Sequence, residues 1–104
     1  MGIKNTKAKG SRQEHRSIAY LEKLGYRCTR SAASLGAWDI VGVGLTDFVL
    51  VQVKSNRWPG TKEMEVLRKF QCPPNCIKIV HRWRDGRRWP DMQNLNTGEV
   101  VMDK

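Results

Sequence analysis

Apolar residues Ile18, Ala19, Leu21 and Leu24 recur at helical spacing, and just before them S-R-Q-E from Ser11 to Glu14 has the spacing of a capping box. The pattern predicts a helix that opens at Ser11 and closes at Gly25, a residue suited to a C-cap. Ahead of it, MGIKNTKAKG has neither apolar mass nor periodicity, so residues 1–10 are expected as a flexible basic arm. Tyr26 to Arg30 alternates as a short strand, and the Ser-, Ala- and Gly-rich stretch from Ser31 to Ala37 connects it to a second strand, Trp38 to Val43. After a turn at Gly44 to Asp47, FVLVQVK from Phe48 to Lys54 is nearly apolar throughout and rich in β-branched residues. That is the signature of a central strand covered on both faces.

Met64, Leu67 and Phe70, spaced by three, predict a second helix capped by Thr61, which Pro73 and Pro74 prevent from continuing. Cys76 to Trp83 is expected as the fourth strand. Asp85-Gly86 marks a tight turn, with Arg87 to Trp89 as a return strand and a weakly specified tail behind it. The order is helix, three strands, helix, strand, an α/β pattern without internal repeats. At 104 residues it suits one domain, 1–104.

Charge adds a partner to this picture. Nineteen Lys and Arg against ten Asp and Glu give a formal +9, more than solubility of a small domain needs, and a polyanion is the expected ligand. The surplus lies at the ends: residues 1–30 carry eight basic and two acidic groups, while residues 31–56 carry only Asp39, Asp47 and Lys54. No stretch approaches the roughly 18 apolar residues of a membrane span, and no apolar segment follows Lys4, Lys7 and Lys9 as in a secretory signal. A cytoplasmic location is expected, cellular or viral, with no membrane and no nucleotide cofactor. Three cysteines without a fourth thiol or a suitably spaced His do not make a structural zinc set. His15 and His81 likewise lack the local partners of metal ligands.

Asp39 stands near the start of one strand, and Gln52 and Lys54 lie two apart on the next, hence on one face. Hairpin pairing brings all three to one end of the sheet, and Glu14 is a candidate fourth member. Two carboxylates and an amide oxygen suit a hard divalent cation, and an amine can orient water or offset charge on phosphorus. Each group has a plainer role as well. Glu14 can complete the capping box, Asp39 can open a strand, and Lys54 can snorkel from a strand end. Gln52 in an apolar strand requires a partner, because an unpaired buried amide costs about 1–3 kcal/mol.

These motifs carry a resemblance. KGSRQEHR from Lys9 to Arg16, RSAASLGAWDIVG from Arg30 to Gly42 and VQVKS from Val51 to Ser55 resemble, in order and approximate spacing, an archaeal-type Holliday junction resolvase of the PD-(D/E)XK nuclease superfamily. The resemblance implies a restriction-endonuclease-like core, a central mixed β-sheet flanked by helices. It implies that Glu14, Asp39 and Gln52 bind magnesium, with manganese as substitute, that Lys54 is the catalytic lysine, and that Ser34 assists. It also implies a homodimer that cuts symmetric strands of a four-way DNA junction. The departure is Gln52, where the family usually has Glu or Asp; a neutral amide can offer an oxygen to a cation but not a charge.

Ser31 is expected to contact DNA together with the basic residues Lys9, Arg12, Arg16, Arg30, Arg57, Arg82, Arg84, Arg87 and Arg88. The last four alternate with Trp83 and Trp89, which offer flat surfaces for splayed bases. Trp58 belongs either to that surface or to a dimer seam. A nuclease acting on flaps, nicks or duplex DNA, or a binding protein that does not cut, would share these features.

Overall fold

A computed structural model describes residues 2–31 and 36–102, and of residues 2–10 only the course of the backbone. Among the described residues the elements run α1 (Gly2–Lys23), β1 (Arg27–Arg30), β2 (Ile40–Val43), β3 (Phe48–Ser55), α2 (Thr61–Lys69), β4 (Cys76–Trp83), β5 (Asp91–Asn94) and β6 (Val100–Val101). The strands form one mixed sheet in chain order, antiparallel except for the parallel β3–β4 pair that α2 connects. The helices lie on opposite faces. None of the described helices is long and apolar enough to cross a membrane.

Strand β3 alternates between two cores. Val49 and Val51 pack with Leu21 of α1 and Ile40, whereas Leu50 packs with Trp38, Met64 and Leu67 of α2, Cys76 and Val80. Coverage on both faces is why its sequence is almost uniformly apolar. Gly42 of β2 faces Tyr26, Cys28 and Val49 so closely that a Cβ there would come within 2.9 Å of Val49.

Helix α1 ends as its sequence predicts. Gly25 takes φ +99°, with Gly25 N–H donating to Glu22 O and Tyr26 N–H to Leu21 O, the paired bonds of a Schellman motif. Its start differs: the backbone is helical from Gly2, so residues 2–10 continue α1 where a separate arm is expected. Ser11 is therefore interior to the helix and cannot be its N-cap, which requires non-helical backbone. Its hydroxyl accepts from Arg30 Nη2 instead. Ser17 fastens the helix to β4, its Oγ accepting from Trp83 Nε1 at 2.7 Å and lying 2.9 Å from His81 Nδ1.

Helix α2 corrects a second cap. Gly60 holds the N-cap position, and Thr61 is the first helical residue. The far end is held by Lys78, which is buried. Its ammonium donates to the carbonyls of Leu67, Arg68 and Phe70 at 3.2, 2.6 and 3.0 Å, complementing the negative end of the helix. After β4 the Asp85-Gly86 turn forms, with Gly86 at φ +78°, but residues 87–89 make no return strand. The strand that returns is β5, beginning at Asp91, and β6 completes the edge.

Candidate active site

The antiparallel register sets Ile40 opposite Val51, so Asp39, one residue earlier, falls beside Gln52. Asp39 N–H donates to Val51 O, and Val53 N–H donates to Asp39 Oδ2 at 2.8 Å. Asp39 is thus anchored to β3 twice, through its own amide and through one carboxylate oxygen. Gln52 and Lys54 share the face that α2 covers, as their two-residue step requires. The convergence of Asp39, Gln52 and Lys54 at one end of the sheet is as expected.

Glu14 reaches the same region from α1. Its Oε1 accepts from Arg30 Nε at 2.7 Å, which ties it to the end of β1. Burial pushes the Asp39 carboxyl above the usual carboxylate range; the Val53 N–H and Lys54 pull it down, while Glu14 and Glu63 push it further up. Asp39 therefore feels two other carboxylates.

Glu63 is the member that sequence reading missed. It sits in the first turn of α2, and its carboxylate accepts from Gln52 Nε2 at 3.0 Å and from Lys54 Nζ at 3.2 Å. The sequence offered only an acid early in a helix, an unremarkable position. Gln52 is 5% exposed, and its Nε2 also donates to the Ala37 carbonyl at 3.3 Å. Its Oε1 is buried and accepts no hydrogen bond among the described residues.

Among the described residues no three His, Cys, Asp or Glu side chains are grouped to hold a metal ion. A cation beside Asp39 and Gln52 would draw on a mixed donor set. The unpartnered Gln52 oxygen beside the anchored Asp39 carboxylate fits a hard divalent ion, which favours oxygen donors. Cys76 lies elsewhere and is inert, burial and its hydrogen-bonded neighbour Cys72 holding the thiol up at about 12.

The expected DNA-contacting residues divide into two groups. Arg12, Arg57, Arg87 and Arg88 are exposed. Arg16, exposed as well, stacks on Trp83 at 4.1 Å and donates to the Arg87 carbonyl. Arg82 and Arg84 are engaged inside the fold: both bind Asp91, which is 1% exposed, and Arg82 also lies 4.5 Å over the Trp58 ring. Pairing of β4 with β5 sets Arg82 opposite Asp91, so these two arginines neutralise a buried carboxylate. Trp58 packs on the α2-side core under Arg82. Ser31 is buried and donates its hydroxyl to the Trp38 carbonyl, closing the connection before β2 rather than offering the hydroxyl to a phosphate. Ser34 and the side chain of Lys9 lie outside the described residues.

An α/β core with a mixed sheet between two helices, and the motif residues at the end of its central hairpin, defines a restriction-endonuclease-like fold. The solved structure of Archaeoglobus fulgidus Hjc, a Holliday junction resolvase from an archaeal hyperthermophile determined at 1.6 Å, is similar over 92% of this chain and 84% of that one, with TM-score 0.68 and 20% identity. The likeness is one of fold. No protein-family model and no curated protein sequence matches the chain.

Proposed function

We propose that this protein is a metal-dependent endodeoxyribonuclease that acts on branched DNA, resolving four-way junctions by phosphodiester hydrolysis. The observation that carries the reading is the meeting of Asp39, Gln52 and Lys54 at one end of a sheet whose fold is similar to that of Hjc, with Glu14 of α1 near enough for its charge to bear on Asp39.

Asp39, Glu14 and the Gln52 amide oxygen would hold a magnesium or manganese ion. When bound, the ion supplies Lewis-acid chemistry, polarising a phosphoryl oxygen and acidifying a water. Asp39 holds its place through Val53 N–H, leaving its other oxygen to the site. Lys54, about one-third exposed, presents an ammonium that can orient the attacking water and offset charge that builds on phosphorus during in-line attack. Arg12, Arg57, Arg87 and Arg88 supply the exposed positive charge that a DNA backbone requires. A homodimer would provide two symmetric cuts, and exposed Val100, Val101 and Met102 at the β6 edge offer apolar surface for self-association.

The test is cleavage of fixed and mobile four-way junctions, flaps, nicked DNA and duplex in magnesium or manganese, comparing wild type with Asp39→Ala and Lys54→Ala. Metal-dependent symmetric cuts in junctions by the wild type alone support the proposal. Binding by all three proteins with no cleavage by any would make the chain a structure-selective DNA-binding protein. Cleavage confined to flaps, nicks or duplex would reassign the substrate. Solution mass at micromolar concentration, with and without junction DNA, tests the dimer.

A further inference from the structure

Gln52 is buried, carries no charge, and is held by its nitrogen. Its Nε2 donates to Ala37 O and to Glu63 Oε2, which commits both amide protons and leaves Oε1 as a buried acceptor without a hydrogen-bond donor among the described residues. An acceptor in that condition is costly unless a donor or a cation meets it. The residue that orients the amide is itself a carboxylate. Glu63, with 38% of its side chain exposed, is open to solvent, and a carboxylate has about four acceptor positions, so its bonds to Gln52 and Lys54 do not exhaust it.

An acid in the first turn of a helix has an ordinary role beside the helix dipole, and an ion pair with Lys54 is another. Both would be met by a carboxylate turned toward solvent. Neither accounts for the bond to Gln52, whose other amide atom is the unpartnered oxygen. We propose that Glu63 is a direct ligand of the divalent cation, supplying from α2 the negative charge that Gln52 does not supply from β3. The proposal rests on the nuclease reading above and adds a ligand to the same site. Asp39 and Glu63 would then flank the neutral amide oxygen, with Glu14, which also accepts from Arg30, as the third carboxylate from α1. Hard divalent ions follow ligand charge and oxygen count, which makes Glu63 a major determinant of affinity.

The decisive measurement is calorimetric titration of the DNA-free protein with Mn2+, using wild type, Asp39→Asn, Glu63→Gln and the double variant Gln52→Glu/Glu63→Gln. Glu63→Gln keeps the side chain's length and an oxygen that can still accept from Lys54; far-UV circular dichroism verifies that each variant is folded. Expected is a rise in the Mn2+ dissociation constant of at least about tenfold for Glu63→Gln, with most of the affinity regained in the double variant, which moves the charge from α2 to β3. If Glu63→Gln binds Mn2+ as tightly as wild type while Asp39→Asn does not, Glu63 is a positioning residue for Lys54 and the inference is overturned, with the nuclease reading intact. Absence of saturable Mn2+ binding by the wild type would overturn both.

Discussion

The Val53 amide donates to Asp39 Oδ2 at 2.8 Å, binding the carboxylate to the strand that also carries Gln52 and Lys54. The cost of the arrangement is electrostatic, since burial disfavours the ionised form and Glu14 and Glu63 add like charge. Asp39→Asn preserves an acceptor for Val53 N–H and removes the charge. It is expected to melt at a higher temperature than wild type in metal-free buffer, while junction cleavage falls by roughly a hundredfold or more. Scanning calorimetry and a cleavage time course on the same preparations check the pair of outcomes. Lower stability together with abolished cleavage would show that the fold needs the carboxylate for its own sake.

Local pattern specified much of this architecture and little of what crosses between elements. Cys76–Trp83 has the same bounds by pattern and by structure, and Gly25 caps α1 where expected, because both depend on neighbours in the chain. Asp39, Gln52 and Lys54 were legible because strand periodicity and antiparallel pairing fix their faces. The Ser11 capping box was a sound local signal overridden by a helix that continues through it. Glu63 and Lys78 took their roles from the way α2 docks, which no run of residues near either one encodes. Arg82 and Arg84 look like surface charge until β5 is recognised, because the acid they neutralise begins that strand.

Gln52→Glu tests the departure from the acidic motif. The substitution removes the Nε2 donors to Ala37 and Glu63 and places a second carboxylate against Glu63. Like charges so close repel, so the variant is expected to be less stable than wild type without metal and to require less magnesium for half-maximal cleavage. Magnesium titrations of cleavage rate and of melting temperature check both. An unchanged magnesium requirement would argue against ligation at residue 52.

The two classes of arginine separate in their response to salt. Arg87 and Arg88 are exposed, and neutralising either is expected to weaken DNA binding across sequences and to lower the slope of log affinity against log salt by about 0.9 for each phosphate that is no longer neutralised. Asp91 is buried beneath Arg82 and Arg84, and Asp91→Ala leaves two guanidinium groups without their buried counter-charge. The expected loss is about 3–5 kcal/mol of folding stability. Fluorescence anisotropy at several salt concentrations and urea denaturation distinguish the classes. A salt slope lowered in folded Arg82→Ala as much as in Arg87→Ala would place Arg82 on the DNA after all.

His81 gives the acid dependence of stability its sign. The ring is fully buried, 2.9 Å from Ser17 Oγ and edge-on to Tyr20 at 5.7 Å, and burial lowers its pKa to about 3. In the unfolded chain an imidazole takes up its proton near 6.5. Between these values the unfolded state binds the extra proton, so stability rises with pH, is complete above about 6.5 and is lost as pH falls below it. From pH 6.5 to 5 the stability given up is on the order of 2 kcal/mol, from about 1.4 kcal/mol per pH unit. Urea denaturation across pH 7.5 to 4.5 should show this decline in wild type and a flatter profile in His81→Gln, whose amide can still meet Ser17. The carboxylates are common to both proteins, so parallel profiles would mean that His81 accepts its proton within the folded state.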